Sequence, residues 1–247
     1  MGQVVNRWWG FLRSLVIYNK PWTRQAWRRF YSQVLSPGDT VFDIGAHLGT
    51  RALAMRAAGA RVIALEPQAP FARFLRRTLP KDIIFIEAAA GSSETEAQIS
   101  VSSRHPTVSS LRTDFVTGAT VAPGFEHVRF DHTQSVQVVT LDGLIREHGS
   151  PRYIKIDVEG FEWEVLSGLS EPVPMISVEY LPGFVHLTRA VLDRLVELGD
   201  YRFNIVTGER AQFLWPDWLD EEAVRTWLDT LSPEDRSGDL FASLEPL

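Results

Sequence analysis

Thr40-Val41-Phe42-Asp43-Ile44 runs into Gly45-Ala46-His47-Leu48-Gly49 and then into a helical pattern through Leu53 and Ala57 to Gly59. Arg61-Val62-Ile63-Ala64-Leu65 follows and ends at Glu66-Pro67. An apolar run, a glycine turn, a helix and a second apolar run make a strand–helix–strand unit. That unit decides the fold, because two parallel strands need a long crossover between them, usually a helix.

The same alternation extends in both directions. Upstream, Pro21 suits the first turn of a helix, and Trp22, Trp27, Phe30, Tyr31 and Val34 fall on one broad face of a helix from Pro21 to Val34. Ser36-Pro37-Gly38-Asp39 ends it. Downstream, Phe71, Phe74 and Leu75 align on a helix, and residues 83–86 form a third strand ending at Glu87-Ala88-Ala89-Ala90-Gly91. The alternation then breaks. Residues 92–135 are rich in Ser, Thr and Gly, with a weak strand at 97–101, and read as a strand-and-loop insertion. Strand 136–139, a short helix capped by Thr140-Leu141-Asp142, and the buried strand Tyr153-Ile154-Lys155-Ile156-Asp157 resume the pattern. A helical stripe of Phe161, Val165, Leu166 and Leu169, a strand at 175–179 and a helix carrying Leu187, Val191, Leu192, Leu195 and Val196 come next. Residues 201–206 and 239–243 are closing strands around an acidic, Trp-containing helix at 219–231.

Strands and helices alternating at this spacing imply an α/β fold with a parallel sheet covered on both faces. Ligands of such sheets sit beyond the carboxyl ends of the strands. Asp43 to Gly49, Glu66, Glu87 to Ala90, Asp157 to Gly160 and Glu179 to Pro182 all stand there. One Rossmann-like domain at 39–247, with the insertion at about 92–135 and an amino-terminal helical extension or lid at 1–38, accounts for the length.

Composition narrows the chemistry. The 247 residues contain no Cys, which removes disulfide scaffolds, zinc ribbons, iron–sulfur sites and thiol nucleophiles. The net charge of −6 argues against a nucleic-acid coat protein. The charge is unevenly spread: Arg7, Arg13, Lys20, Arg24, Arg28 and Arg29 precede Asp39 with no acidic residue among them. The run Trp8-Trp9-Gly10-Phe11-Leu12-Arg13-Ser14-Leu15-Val16-Ile17-Tyr18 is too short for a membrane span, which needs roughly 20 apolar residues. It is also unlike a signal peptide, so a cytoplasmic location is the default expectation. Two readings of this extension stand: a core-covering segment or lid, and a surface for a membrane, an anionic lipid or a lipid-linked acceptor. The same Trp-rich segment can pack on a second subunit, making a homodimer.

The first loop has G-x-x-x-G and not the G-x-G-x-x-G of a pyrophosphate site. Asp43 beside it disfavours phosphate and suits an amine or hydroxyl. Glu66, at the end of the second strand, can accept hydrogen bonds from both ribose hydroxyls of a nucleoside. The pair fits a ligand with ribose and no pyrophosphate, such as S-adenosylmethionine.

Asp43-Ile44-Gly45-Ala46-His47-Leu48-Gly49, Glu66-Pro67, Thr140-Leu141-Asp142 and Lys155-Ile156-Asp157-Val158-Glu159-Gly160-Phe161-Glu162 occur in that order. Together they resemble the FkbM-type methyltransferases, a branch of the class I S-adenosylmethionine-dependent enzymes. The resemblance spans roughly residues 39–182 and is specific chiefly through the block at 155–162. It implies a Rossmann-like, mostly parallel seven-stranded sheet flanked by helices, and methyl transfer, typically to a hydroxyl oxygen. It also implies that Asp43, Gly45, His47 and Gly49 form the cofactor loop, with His47 where the family commonly has Asn. Glu66 with Pro67 would hold the ribose, Ala88 and Ala89 would line the adenine edge, and Asp157 would lie beside the methionine part or the acceptor. Ser109-Ser110-Leu111 matches a Ser-containing stretch often seen in the family, with no role assigned.

Asp157, Glu159, Glu162 and Glu179 converge if the strands of Asp157 and Glu179 are neighbours, and Lys155 shares a side with Asp157. Clustered carboxylates raise one another's pKa, and one of them can serve as general base toward a substrate hydroxyl. Asp157, Glu159 and Glu179 are equally candidates to hold Mg²⁺ or Ca²⁺, which take oxygen ligands. Without a metal, Lys155 neutralises the cluster. Glu162 lies in a first helical turn, where the dipole alone favours a carboxylate. His186 is a second base candidate, and His105, His127 and His132 show no metal-ligand spacing. The leading expectation is an O-methyltransferase acting on a small molecule, sugar or glycan and not on nucleic acid. A nicotinamide-dependent oxidoreductase and an inactive cofactor-binding module are the alternatives.

Overall fold

A computed structural model describes residues 21–101, 109–110 and 132–245. Residues 8–18 with their basic neighbours, His105, Leu111 and His127 lie outside the described residues. Helix α1 (Pro21–Val34) begins the described chain, followed by β1 (Thr40–Ile44), α2 (Thr50–Ala57), β2 (Arg61–Leu65), α3 (Ala69–Thr78) and β3 (Ile84–Ile86). Strands β4 (Ala89–Ala90), β5 (Thr95–Val101), β6 (Ser109–Ser110) and β7 (His132–Val139) come next. Helix α4 (Leu141–His148), β8 (Tyr153–Ile156), α5 (Glu162–Leu166), β9 (Met175–Tyr180), α6 (Val185–Leu198), β10 (Arg202–Thr207), α7 (Glu221–Asp229) and β11 (Gly238–Ser243) complete it.

The main sheet has seven strands in the order β3-β2-β1-β8-β9-β11-β10. Six strands, β1, β2, β3, β8, β9 and β10, run in one direction. Strand β11 inserts antiparallel between β9 and β10, so the sheet is mixed. Helix α7 lies between β10 and β11, and β11 enters the sheet in the reverse direction between β9 and β10.

Each face of the sheet is buried. Leu141, Leu144, Val165, Leu166, Val191, Leu192, Leu195, Val224 and Leu228 bring helices α4 to α7 onto one face. Trp27, Phe30, Tyr31, Val34, Ala52, Met55 and Leu75 bring α1 to α3 onto the other. The four buried α1 side chains follow helical spacing and bury against Tyr153 and Phe241, whose rings stack at 5.9 Å. A buried large apolar side chain contributes about 1.5–3 kcal/mol, so α1 is a structural element of the core. The polar caps agree with the sequence: Thr140 Oγ1 accepts from the Gly143 N–H at 3.0 Å, and Asp220 Oδ1 from the Ala223 N–H at 2.9 Å.

The insertion forms a sheet of its own, in the order β4-β7-β5-β6. Its small core is Ala89, Ile99, Val136 and Val138. Ser109 and Ser110 pair there with Val101 and Ser100. Among the described residues, no helix is long and apolar enough to cross a membrane.

Candidate functional site

Strand register creates the site. Asp43, Lys155 and Ser177 are in one row across β1, β8 and β9. Side chains alternate along a strand, so the next row on that face carries Asp157 and Glu179. Glu179 pairs with Asp239 on β11. A cavity of about 400 Å³ opens above these rows. One half is walled by residues 43–47, 66–68 and 88–90, the other by Asp157, Val158, Glu159, Glu179, Gly208, Glu209 and Asp239.

Backbone strain shapes the loops. Gly45 has φ +83°, and a Cβ there would lie 1.9 Å from the Asp157 carbonyl oxygen. Only glycine lets the first loop pack this closely on the strand end beside it. His47 and Glu159 are non-glycine residues with φ of 50° and 55°. Such conformations persist only where surroundings hold them. The His47 N–H donates to Glu66 Oε2 at 2.8 Å, and its ring packs on Phe71 at 4.2 Å. Glu159 is flanked by two N–H groups, of Val158 and Gly160, that donate to Glu162 Oε1 at 3.2 and 3.1 Å. Glu162 is therefore more than a helix-dipole residue: it clasps the loop that presents Glu159.

Lys155 is buried and its Nζ sits 2.8 Å from Asp157 Oδ2. Burial works against both charges, but the pair prevails. The Asp157 carboxyl is held below the usual carboxylate range, and Lys155 is held protonated by Asp157, Asp43 and Asp239. Glu159 and Glu179 go the other way. Burial first, and the neighbouring carboxylates second, push both well above the ordinary Glu value. Burial likewise lifts Glu66 to about 7, Glu162 to about 7 and Asp239 to about 6, and lowers His47 to about 4. Glu179 Oε2 and both Asp43 side-chain oxygens are buried without a hydrogen-bond donor at normal geometry.

The cavity lining carries Asp43, Glu66, Asp157, Glu159, Glu179, Glu209 and Asp239 against Arg51 and Lys155. Both cations are engaged, because Arg51 lies 3.1 Å from Glu209 and 3.2 Å over the Trp27 ring. The Trp27 indole N–H also donates to Glu209, at 2.8 Å. Through these two residues α1 braces the cavity wall without lining it. This donor set suits a cationic ligand. One carboxylate oxygen each from Asp157, Glu159 and Glu179 lie within 4.8 Å of one another, close enough to face a single cation.

Most residues expected from the sequence meet here: Asp43, Gly45, His47, Glu66, Pro67, Ala88, Ala89, Lys155, Asp157, Glu159 and Glu179 all line the cavity. Three do not. Gly49 caps α2 with φ +74°, where a Cβ would press on Leu75 and Leu79, so its role is helix packing. His186 is exposed on the first turn of α6 beside Phe184, outside the cavity lining. Glu87 turns to Arg76. Arg51, Gln68, Glu209 and Asp239 were not singled out from the sequence. Asp239 is invisible there because its strand runs backwards, bringing its first residues to the end where other strands finish.

A family model described as the methyltransferase FkbM domain matches residues 43–231, most of the chain. The chain belongs to the FkbM methyltransferase family. It is an S-adenosylmethionine-dependent methyltransferase, and the family match decides against the nicotinamide reading. No curated protein sequence matches this FkbM-family chain. Solved structures similar to it include a TehB-like S-adenosylmethionine-dependent methyltransferase from Corynebacterium glutamicum, 8% identical, with a TM-score of 0.46 over 89% of this chain and 88% of that one. A precorrin-6y methyltransferase from Geobacter metallireducens is 12% identical, with a TM-score of 0.44 over 87% and 86%. An rRNA methylase from Streptococcus thermophilus is 11% identical, with a TM-score of 0.41 over 87% and 92%. Similarity this low carries nothing about the acceptor.

Proposed function

We propose that this FkbM-family protein methylates a hydroxyl oxygen of a small molecule, sugar or glycan. The observation that carries the reading is the Glu159–Glu179 pair, two carboxylates pushed above their ordinary range at the strand ends and facing one cavity. Methyl transfer to oxygen requires a proton to leave, and a carboxylate of raised pKa is suited to take it. The half around Gly45, Glu66, Ala88 and Ala89 would hold S-adenosylmethionine, which supplies a methyl group already activated on a sulfonium. Glu66 would accept from the ribose hydroxyls, and the small alanine side chains leave room at the adenine edge.

The protein's remaining tasks are alignment, exclusion of water and proton removal. Asp157, kept ionised by Lys155, orients a hydroxyl by accepting its hydrogen bond. Burial and neighbouring carboxylates raise both Glu159 and Glu179, so a positive charge seated beside them would favour their ionised forms. The ionised partner then takes the acceptor's proton. Asp157, Glu159 and Glu179 also have the chemistry to ligate Mg²⁺ or Ca²⁺, but Lys155 already answers one of the three charges. A neutral or cationic acceptor suits the acidic lining better than phosphate, nucleic acid or a carboxylate. The part of residues 1–38 outside the buried face of α1 remains the proposed contact for a lipid-linked acceptor or a second subunit, and the cytoplasm the proposed location.

Calorimetry with S-adenosylhomocysteine tests the cofactor half: binding by the wild type and loss of at least tenfold in Glu66→Ala support it, and no binding by the wild type overturns it. A screen of hydroxyl-bearing acceptors tests the acceptor half. Glu159→Gln and Glu179→Gln should lower turnover by about 10²–10⁴-fold, the usual share of general-base catalysis, with little change in cofactor affinity. Full activity in excess EDTA removes a readily exchanged metal. Methyl incorporation only into nitrogen, carbon or RNA would refute hydroxyl transfer.

A further inference from the structure

The buried carboxylate of Glu66 is held by two loops at once. Its Oε2 accepts from the His47 N–H at 2.8 Å, and its Oε1 from the Gln68 N–H at 2.9 Å. The first amide belongs to the glycine loop after β1. The second belongs to the turn after β2, where the Gln68 carbonyl also accepts the Ala72 N–H at 2.9 Å. A further clasp comes from the inserted sheet. Gln134 on β7 donates its Nε2 to the Pro67 carbonyl at 2.8 Å and accepts the Ala69 N–H on its Oε1 at 3.1 Å. The amide orientation is fixed by chemistry, since only the nitrogen can donate and only the oxygen can accept. Ala69 opens α3, and its N–H is one of those a helix cannot satisfy from within. Gln134 thus grips the residues on either side of Gln68, whose N–H aims Glu66.

We propose that Gln134 is a positioning residue for the ribose-binding carboxylate, and that the inserted sheet is part of the cofactor site. Its strands β4 and β5 supply Ala89, Ala90 and Ile99 to the cavity wall, and β7 is locked to both of them. The inference rests on the reading that Glu66 receives the ribose hydroxyls.

The test measures S-adenosylhomocysteine and its 2′-deoxyribose analogue by calorimetry against the full chain. Wild type should prefer the ribose form by about tenfold, the worth of one hydrogen bond to a charged group. Gln134→Ala should bind S-adenosylhomocysteine about tenfold more weakly and lose most of that preference. Gln134→Glu keeps an acceptor for Ala69 and loses the donor to Pro67, so it should fall between the two. It also serves if Gln134→Ala does not fold. Unchanged affinity, or uniform weakening with the preference intact, overturns the role of Gln134. A wild type that binds neither ligand overturns the cofactor reading and the inference with it. A wild type that binds both equally overturns the ribose role of Glu66 alone, and the inference falls on that ground.

Discussion

Replacing Lys155 by Met should reveal how much of the site's charge the fold tolerates. Lys155 is 3% exposed and lies among Asp43, Asp157 and Asp239. Methionine fills a similar volume but leaves Asp157 without its partner. Breaking a buried pair from one side costs about 3–5 kcal/mol. The lower end applies, because 37% of the Asp157 side chain remains in solvent. About 3 kcal/mol is a large share of the 5–15 kcal/mol that holds a domain folded. At about 2–4 °C per kcal/mol for a chain of this size, the melting temperature should fall by about 6–12 °C. The deficit should also depend on pH. In the wild type Asp157 is depressed, so its contribution is present above the unfolded carboxylate value and disappears as pH falls through the folded one. In the variant the same carboxyl is raised by burial, which costs stability as pH rises. The two curves should therefore separate as pH rises above the ordinary carboxylate range and converge only below it. Thermal unfolding by circular dichroism, with Lys155→Met/Asp157→Asn as partial rescue, measures this. A deficit under about 1 kcal/mol, or one independent of pH, would refute the account of Lys155 as the counter-charge of the cavity floor.

Other outcomes follow from the same geometry. Glu66, Glu162 and Asp239 are raised by burial to about 7, 7 and 6. Groups raised on folding contribute stability that is complete below their unfolded values and lost as pH rises through the folded ones. The ligand-free protein should therefore lose melting temperature between pH 5 and 8, and a flat profile would count against buried carboxylates that resist ionisation. Gly45→Ala places a Cβ against the Asp157 carbonyl at φ +83°. It should cost at least about 3 kcal/mol in denaturant titration, and a near-neutral result would mean the loop can shift freely.

The fold was legible because its signals are local. Apolar runs of strand length, a glycine turn and helical stripes between them are properties of neighbouring residues, and they place β1, β2, β8 and β9 within a residue or two. The cofactor loop and the Lys155–Glu162 block were legible for the same reason, as contiguous stretches at strand ends. His186 stands outside the cavity lining because nearness to Glu179 along the chain does not set which way the following helix turns. Glu162 was underestimated because its two partners are backbone amides of an irregular loop, which sequence spacing does not reveal.

What the sequence alone determined is therefore the order of strands and helices, the carboxylates available at strand ends and the family that uses them. What only the tertiary structure decided is which of these charges meet. Asp239 joins Glu179 because β11 runs antiparallel between β9 and β10. Arg51 is consumed by Glu209 and Trp27, which are far apart in the chain. Gln134 reaches Pro67 and Ala69 from a separate sheet. Each of these depends on strand register and on contacts between distant segments. Periodicity carries no trace of either, because it records only how a segment divides its own faces between core and solvent.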